Sequence, residues 1–219
     1  MASKELLCGN PPFLACIFGK KHSGKTVLIK YLCYKYRTHF NYIVVISPTA
    51  CMNTDYDYIP KEFIHNSYSP KLITDIIDKQ ANFKNADKKV HMLLILDDIA
   101  SDPNINFKKT KFTELTKIFS ANRHYNISAI FVGHTMKTLP KMLRGNCDYA
   151  FITKVLASSM DDLYEEYGHL VKREFKEFIA HQTVDFQMIL YNNRSNAGDP
   201  FICFKIPPNF CDFKFKLNY

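Results

Sequence analysis

The 219-residue sequence lacks any pair of cysteines spaced as C-x-x-C, although it contains seven cysteines. Their number is odd, and several of them lie inside apolar runs, where a free thiol packs as a small apolar side chain. A disulfide framework and a cysteine-based zinc site are therefore excluded. We expect the protein to work in a reducing compartment.

Long apolar runs are also missing, because none approaches the length that spans a membrane, and the N-terminus has no signal-peptide pattern. We therefore expect a soluble, intracellular protein without a membrane span. Hydrophobic residues make up 47% of the chain and charged residues 23%. This composition is ample for a core and excludes a disordered chain. The length favours a single domain over residues 1–219.

Arginine is scarce, since it supplies only five of the 29 lysine and arginine residues. Lysine therefore carries most of the net charge of +8, and the pI is near 9.0. A basic balance favours a polyanionic partner. Lysine acts as a point charge, which suits sequence-independent contact with phosphates better than bidentate reading of bases. The charge is equally compatible with a basic surface that has no such partner.

Glycine is scarce too, with seven residues, yet two of the seven fall in one eight-residue segment. This segment is Gly19-Lys20-Lys21-His22-Ser23-Gly24-Lys25-Thr26, and it matches the phosphate-loop pattern G-x-x-x-x-G-K-[ST]. Apolar runs at 13–18 and 27–32 flank it, which predicts the strand, loop and helix that the motif requires. We predict that all eight residues bind a nucleotide; a chance glycine loop is the alternative.

The chemistry of a phosphate explains this spacing. Gly19 and Gly24 permit backbone angles that turn several N–H groups towards a phosphate. The N-terminus of the helix that begins near Lys25 adds partial positive charge. Lys25 is expected to reach the β- and γ-phosphates, and the Thr26 hydroxyl is expected to ligate Mg²⁺. The predicted cofactors are therefore ATP and Mg²⁺.

A second motif is an apolar strand that ends in two carboxylates, Leu93-Leu94-Ile95-Leu96-Asp97-Asp98. Such a Walker B strand holds Mg²⁺ opposite Thr26. We assign Asp97 to the metal and Asp98 to activating or orienting the attacking water. Asp98 is one methylene shorter than the glutamate commonly found at this position, and Asp102 and Glu114 are alternative bases. Acidic residues at a strand end also cap turns, which is the plainer interpretation.

Apolar periodicity predicts strands that alternate with helices, and hence a mostly parallel α/β sheet with helices on both faces. The predicted core covers about 13–153, and a C-terminal helix, β-hairpin and tail cover about 158–219. Overlapping capping-box signals at Ser158 and Ser159 start the last helix. The predicted strands are 13–18, 42–46, 91–96, 127–132, 148–153 and the hairpin pair 184–191 and 201–206. The predicted helices are 26–38, one opened by Pro70, 111–122 and 158–181, whereas 50–69 and 207–219 are predicted to be irregular.

A third block, 122–134 followed by 139–146, combines an arginine–histidine pair, an apolar strand and a polar residue. Together with 19–26 and 93–98, this block makes the chain resemble the genome-packaging ATPases of large DNA viruses and virophages. These form the poxvirus-type branch of the FtsK/HerA superfamily. The resemblance covers about 13–153. The first two blocks are generic to P-loop NTPases, and only the third narrows the family.

The resemblance implies a P-loop ATPase core with an extra strand between the phosphate-loop strand and the Walker B strand. It also implies a homo-oligomeric ring that hydrolyses ATP to move double-stranded DNA, independently of its sequence, into a capsid. Capsid or portal-vertex proteins are then expected partners. The expected location is the virion or a viral factory in the host cytoplasm.

Family roles carry over to a few further residues. His134 stands where the family usually has a glutamine or asparagine that senses the γ-phosphate; imidazole donates the same hydrogen bond, but its protonation changes near neutral pH. Arg144, or alternatively Arg123, is expected to act as an arginine finger on the neighbouring subunit's γ-phosphate. An ordinary surface salt bridge is the other interpretation of each arginine. A lysine-rich loop after the Walker B strand is either a DNA contact or merely solvated, and its lysines are Lys108, Lys109 and Lys111.

Two other functions are compatible with the motifs. A small P-loop nucleotide or nucleoside kinase fits the length and the phosphate loop, but such a kinase ordinarily has an arginine-rich lid, and 100–143 contains only Arg123. A non-hydrolysing virion assembly protein that binds nucleotide is the other alternative.

Overall fold

A computed structural model of the protein describes residues 7, 11–105, 113–168, 174–195 and 200–218. Within these residues, eight strands form one sheet in the order β3-β2-β4-β5-β1-β6-β7-β8. The strands are β1 (Leu14–Phe18), β2 (Tyr42–Ile46), β3 (Ile64–His65), β4 (Met92–Asp97), β5 (Ile127–Gly133), β6 (Tyr149–Ile152), β7 (Gln187–Asn192) and β8 (Phe201–Lys205). The helices are α1 (Lys25–Lys35), α2 (Pro70–Asn85), α3 (Thr113–Ala121), α4 (Lys141–Arg144), α5 (Met160–Tyr167) and α6 (Phe175–Gln182).

The first six strands in this order, from β3 through β2, β4, β5 and β1 to β6, run parallel to one another. Strand β7 pairs with β6 in antiparallel fashion, and β8 pairs with β7 in the same way. Every residue of β1, β2 and β5 is buried. Their unbroken apolar runs are typical of strands that are covered on both faces. Successive side chains of a strand point to opposite faces, and accordingly Cys16 and Ile17 belong to two different apolar clusters. The expected mixed, mostly parallel α/β fold is confirmed.

Strand β5 lies between β1 and β4, as the family resemblance implied. The register pairs Phe18 with Gly133, and Asp97 with Val132. The carboxyl ends of β1, β4 and β5 therefore meet at one edge of the sheet. The predicted C-terminal hairpin is also confirmed, because β7 and β8 pair with each other and β7 pairs with β6. Residues 196–199 of its turn lie outside the described residues.

The single helix predicted over 158–181 is wrong. The chain forms α5 and α6 instead, and 169–173 between them lies outside the described residues. Helix α5 ends at Tyr167 and is followed by the C-cap Gly168, where a Cβ atom would stand 2.5 Å from the Tyr164 ring. The rings of Tyr164 and Phe175 then contact each other at 6.2 Å, so α6 packs against α5 rather than continuing it. The capping-box prediction is also wrong, since Ser159 is buried at the end of a 3₁₀ turn and makes no side-chain cap.

Two smaller differences concern the irregular segments. Residues 50–69 contain a 3₁₀ turn (Lys61–Phe63) and the two-residue strand β3, which extends the sheet beyond β2. The described part of the tail packs on its own domain, where Phe215 is buried and its N–H donates to Tyr58 O at 2.8 Å. Among the helices in the described ranges, none has the length and apolarity needed to cross a membrane.

Candidate functional site

The glycine-containing loop leaves β1 at Phe18 and enters α1 at Lys25. Its backbone is tied to the two strands that flank β1. The N–H of Gly19 donates to Gly133 O at 3.3 Å, and the N–H of Lys20 donates to Lys154 O at 2.8 Å. The loop is therefore fixed at the carboxyl edge of the sheet, where open parallel sheets bind their ligands.

A buried hydroxyl pair closes the base of this loop. Ser23 Oγ lies 2.7 Å from Lys20 O and 2.6 Å from Thr153 Oγ1, which in turn lies 3.1 Å from Phe18 O. A Cβ atom on Gly19 would stand 1.7 Å from Thr153 Oγ1, so only glycine fits there. Sequence reasoning missed Thr153, because it lies 130 residues from Ser23 and belongs to no motif.

The start of α1 is arranged to receive an anion. Gly24 is the N-cap residue, has a φ of 89° and supplies no side chain to the first N–H groups. The first turn of α1, all of which is described, contains no acidic residue. Unpaired N–H groups and the positive end of the helix dipole favour phosphate at such a position.

The Lys25 ammonium lies in the mouth of the loop. Its Nζ donates to Gly19 O at 2.8 Å and to Lys20 O at 2.9 Å, and it lies 3.3 Å from His134 Nδ1. Burial lowers the pKa of Lys25, whereas the carboxylates of Asp97 and Asp98 raise it. The cation thus rests on loop carbonyls that phosphate oxygens can replace.

Asp97 closes β4 and is held by a residue that sequence reasoning missed. Tyr56 Oη donates to Asp97 Oδ2 at 2.8 Å, and the Tyr56 side chain is buried. Burial raises the pKa of Asp97, and the hydrogen bond from Tyr56 and the charge of Lys25 oppose that rise. Tyr56 lies in the tyrosine-rich segment before β3, which carries no spacing that points to a metal ligand.

Asp98 and His134 follow β4 and β5 and face each other. Asp98 has a φ of 51° and donates its N–H to Val132 O at 3.2 Å. His134 Nε2 lies 3.8 Å from Asp98 Oδ1, and its other ring nitrogen faces Lys25. The structure therefore brings together three of the residues to which the sequence assigned catalysis. Asp102, an alternative base, is buried and accepts from the N–H groups of Tyr68 and Asn104.

The two candidate finger arginines do not reach this loop within the chain. Arg144 is 11% exposed and donates to Leu139 O at 2.9 Å and to Glu166 Oε2 at 3.1 Å. Arg123 is 67% exposed, contacts Asp148 at 3.1 Å and precedes β5, which places it at the opposite edge of the sheet. The predicted DNA-contact lysines, Lys108, Lys109 and Lys111, lie outside the described residues.

These residues fit a magnesium nucleotide. The loop leaves no room for a side chain at Gly19. Lys25 and the start of α1 supply positive charge beside the loop. The Thr26 hydroxyl and the Asp97 carboxylate are the oxygen donors that Mg²⁺ prefers. In the described part of the chain, no group of three or more His, Cys, Asp or Glu residues could hold a metal alone. Mg²⁺ usually takes one or two protein carboxylates and completes its shell with phosphates and water.

The fold and the loop place the chain in the class of P-loop NTPases. The sequence matches the Poxvirus A32 protein family over residues 3–195, and the chain belongs to that family. The resemblance to poxvirus-type ATPases that the sequence motifs indicated is thereby confirmed.

Three known proteins illustrate the relationship. A protein of Acanthamoeba polyphaga mimivirus is 30% identical over 194 residues, which cover 83% of this chain and 67% of that protein. The DNA packaging protein OPG160 of variola virus is 28% identical over 192 residues, which cover 84% of this chain and 67% of that protein. The genome packaging NTPase B204 of Sulfolobus turreted icosahedral virus 2, solved with ATPγS, superposes with a TM-score of 0.67. At 16% identity, with 90% of this chain and 98% of B204 covered, this last likeness concerns the fold alone.

Proposed function

We propose that this chain is a magnesium-dependent ATPase that drives double-stranded DNA into a viral capsid. The observation that carries the proposal is the meeting of Lys25, Asp97, Asp98 and His134 beside the phosphate loop. Membership of the Poxvirus A32 family supports the packaging role, because the variola relative is named a DNA packaging protein.

Binding uses the loop and Lys25. The N–H groups of the loop and of the first turn of α1 surround the phosphates, and Lys25 Nζ exchanges its contacts with Gly19 O and Lys20 O for phosphate oxygens. Thr26 and Asp97 hold the metal, with Tyr56 keeping the Asp97 carboxylate in one orientation. Bound Mg²⁺ supplies the positive charge that neutralises the phosphates during transfer.

Hydrolysis uses Asp98 and His134. The 3.8 Å between His134 Nε2 and Asp98 Oδ1 is too long for a hydrogen bond. Asp98 Oδ1 is therefore available to orient a water molecule and to take its proton. His134 lies between Asp98 and Lys25, where its ring donates a hydrogen bond to the γ-phosphate. Through this contact, the presence of the γ-phosphate influences Asp98, the proposed general base.

The motor function also requires a neighbouring subunit and DNA. We infer a homo-oligomeric ring in which an arginine of one subunit completes the site of the next. Arg144 reaches a neighbour only after it separates from Glu166, whereas Arg123 is already exposed. The net charge of +8 suits contact with the phosphates of double-stranded DNA. Capsid or portal-vertex proteins are the proposed assembly partners. The proposed site of action is the virion or a viral factory.

Phosphate release in the presence and absence of double-stranded DNA tests this function. We expect Mg²⁺-dependent release that DNA stimulates, and we expect Asp98→Asn to bind Mg·ATP but to suppress release because the proposed base is lost. Rapid phosphoryl transfer to a nucleoside or nucleotide would instead identify a kinase. Nucleotide binding without release under any of these conditions would identify a non-hydrolysing assembly protein.

A further inference from the structure

An apolar cleft of about 180 Å³ lies beside the start of α1. One wall contains Gly24 and Val27, and Val27 directly follows the last residue of the phosphate loop. The other walls come from the C-terminal hairpin and the tail, through Phe186, Met188, Pro207 and Pro208. Val27 is apolar but 51% exposed, whereas the two residues that follow it in α1 are fully buried.

The topology explains why the hairpin reaches the phosphate loop. Strand β7 runs antiparallel to β6, and β6 lies next to β1. The start of β7 is therefore at the same edge of the sheet as the carboxyl end of β1. A Cβ atom on Gly24 would stand 3.0 Å from Met188 Cε and 3.4 Å from Phe186 Cδ1, so both side chains border the loop itself.

Phe186 has an unusual conformation for an aromatic residue. It is 65% exposed and has a φ of 59°, and the preceding residue, Asp185, has a φ of 50°. The turn is closed by the N–H of Gln187, which donates to Val184 O at 2.8 Å. Positive φ favours glycine or asparagine, and a bulky side chain there is strained. This ring gains little burial in return, and strain of this kind is concentrated where side chains serve a ligand.

We propose that this cleft holds the base of the bound nucleotide and that Phe186 stacks against the base. The inference rests on the proposed function, because the triphosphate must occupy the neighbouring loop. The side chain of Phe186 offers a flat π-face, and Val27 and the two prolines offer apolar contacts. A nucleobase can therefore be buried there while its sugar points to the loop.

The chemistry of the cleft also determines how the base is selected. Among the described residues that line the cleft, none has a carboxylate, amide or hydroxyl side chain, and Lys205 is the one with a charge. Stacking accepts any base, because every base has a π-face. Selective sites instead use polar groups that are left unpaired by the wrong ligand. The cleft therefore binds adenine and guanine nucleotides with similar affinity.

Calorimetric titration with ATP, GTP and inorganic triphosphate, each with Mg²⁺, tests the proposal. We expect Phe186→Ala to weaken the binding of ATP and GTP about 5- to 160-fold, the range that loss of base–aromatic stacking implies. Triphosphate has no base, so its affinity should not change. Phe186→Tyr should bind like the wild type because the ring is retained. Val184→Ala is the matched control, since Val184 is apolar, 46% exposed and in the same turn but does not line the cleft.

Thermal unfolding of Phe186→Asn separates a binding role from a structural one. Asparagine tolerates positive φ, so the melting temperature should stay the same or rise while ATP affinity falls. Unchanged ATP affinity in Phe186→Ala, or an equal loss of ATP and triphosphate affinity, would overturn the base site. A strong preference of the wild type for ATP over GTP would overturn the claim that stacking accepts both bases. Failure of the wild type to bind even triphosphate would overturn the proposed function together with the base site.

Discussion

The two ends of the central sheet carry charged groups in different ways. At the carboxyl end, the ionisable side chains are close but incompletely paired. Lys25 rests on two backbone carbonyls and lies 3.3 Å from the His134 ring, and that ring lies 3.8 Å from Asp98. Lys25 can exchange its two carbonyl contacts for contacts with a ligand, and Asp98 Oδ1 has lone pairs left for one.

At the amino end, the carboxylate of Asp148 is fully paired. Its Oδ1 accepts from Arg194 Nε at 2.7 Å and from Arg123 at 3.1 Å. Its Oδ2 accepts from a second Arg194 nitrogen and from the N–H of Leu14, both at 2.8 Å. Arg194 also donates to Pro12 O at 2.9 Å, so this network joins the start of β1 to the region that follows β7.

The comparison shows that charge alone does not mark a site. A carboxylate whose oxygens are all occupied by the chain stabilises the fold, because no lone pair is left for a ligand. The carboxyl end differs because the loops that follow parallel strands meet at one edge of the sheet. Side chains and N–H groups lie close together there, but they do not use all of each other's hydrogen-bonding capacity. We therefore expect variants at the carboxyl end to lower turnover with little effect on stability. Variants at the amino end should lower stability with little effect on turnover.

The largest effect on turnover is expected from Lys25→Ala. Removing a cation that stabilises charge in the transition state should lower ATP turnover by about 10²- to 10³-fold. The melting temperature should change little, because burial already disfavours the charged amine in the folded protein. Phosphate release and thermal unfolding measure the two quantities. Lys84→Ala is the control, since Lys84 is an exposed lysine of α2 outside the loop. Wild-type turnover in Lys25→Ala would contradict the site.

The largest effect on stability is expected at the other end, from Asp148→Ala. Removing one partner of a mostly buried ionic network costs about 3–5 kcal/mol in the free energy of unfolding, because the charges left behind lose their pairing. The side chain of Asp148 is only 10% exposed. Urea unfolding should show this loss, whereas turnover per folded molecule should stay near that of the wild type.

Arg123→Ala provides a graded comparison within the same network. Its exposed contact with Asp148 should contribute no more than about 1 kcal/mol to the free energy of unfolding. If Asp148→Ala stays stable but loses turnover, the assignment of the amino end to the fold is wrong. Loss of turnover in Arg123→Ala without loss of stability would instead support Arg123 as the arginine that acts on a neighbouring subunit.

The sequence predicts the parts of the molecule that are encoded locally. The run 13–32 contains a buried strand, a glycine loop and a helix, so pattern alone predicts both structure and ligand. The strand that ends at Asp97 is equally local. Thr153, Tyr56 and Arg194 lie beyond such reasoning, since each contacts its partner across 41 to 130 residues and belongs to no motif.

The wrong helix prediction and the untested role of Arg144 both depend on tertiary contacts. The helix predicted over 158–181 has continuous charged periodicity, but the ring contact between Tyr164 and Phe175 that folds α6 onto α5 is tertiary. The family resemblance makes Arg144 a candidate finger, and only the structure reveals its ion pair with Glu166. The roles assigned to Arg144, Arg123 and His134 stay predictions.

At the carboxyl end, Tyr56→Phe is expected to have a smaller effect than Lys25→Ala and to be the sharper test. The substitution keeps the ring, which contacts Tyr58 at 6.2 Å, and deletes only the hydroxyl that donates to Asp97 Oδ2 at 2.8 Å. A partner that orients a metal ligand typically contributes about 10-fold or more to metal affinity. The Mg²⁺ concentration for half-maximal hydrolysis should therefore rise about 10-fold, while turnover at saturating Mg²⁺ stays close to that of the wild type.

Tyr58→Phe is the matched control for this prediction. Tyr58 is as buried as Tyr56 and lies two residues away, but its hydroxyl contacts Cys33 Sγ at 3.9 Å rather than a carboxylate. Deleting that hydroxyl should leave the Mg²⁺ dependence unchanged. Equal shifts in the two variants would mean that the tyrosines act only through packing. No shift in Tyr56→Phe would mean that the hydrogen bond from Tyr56 does not orient Asp97 for the metal, and the proposed role of Tyr56 would be wrong.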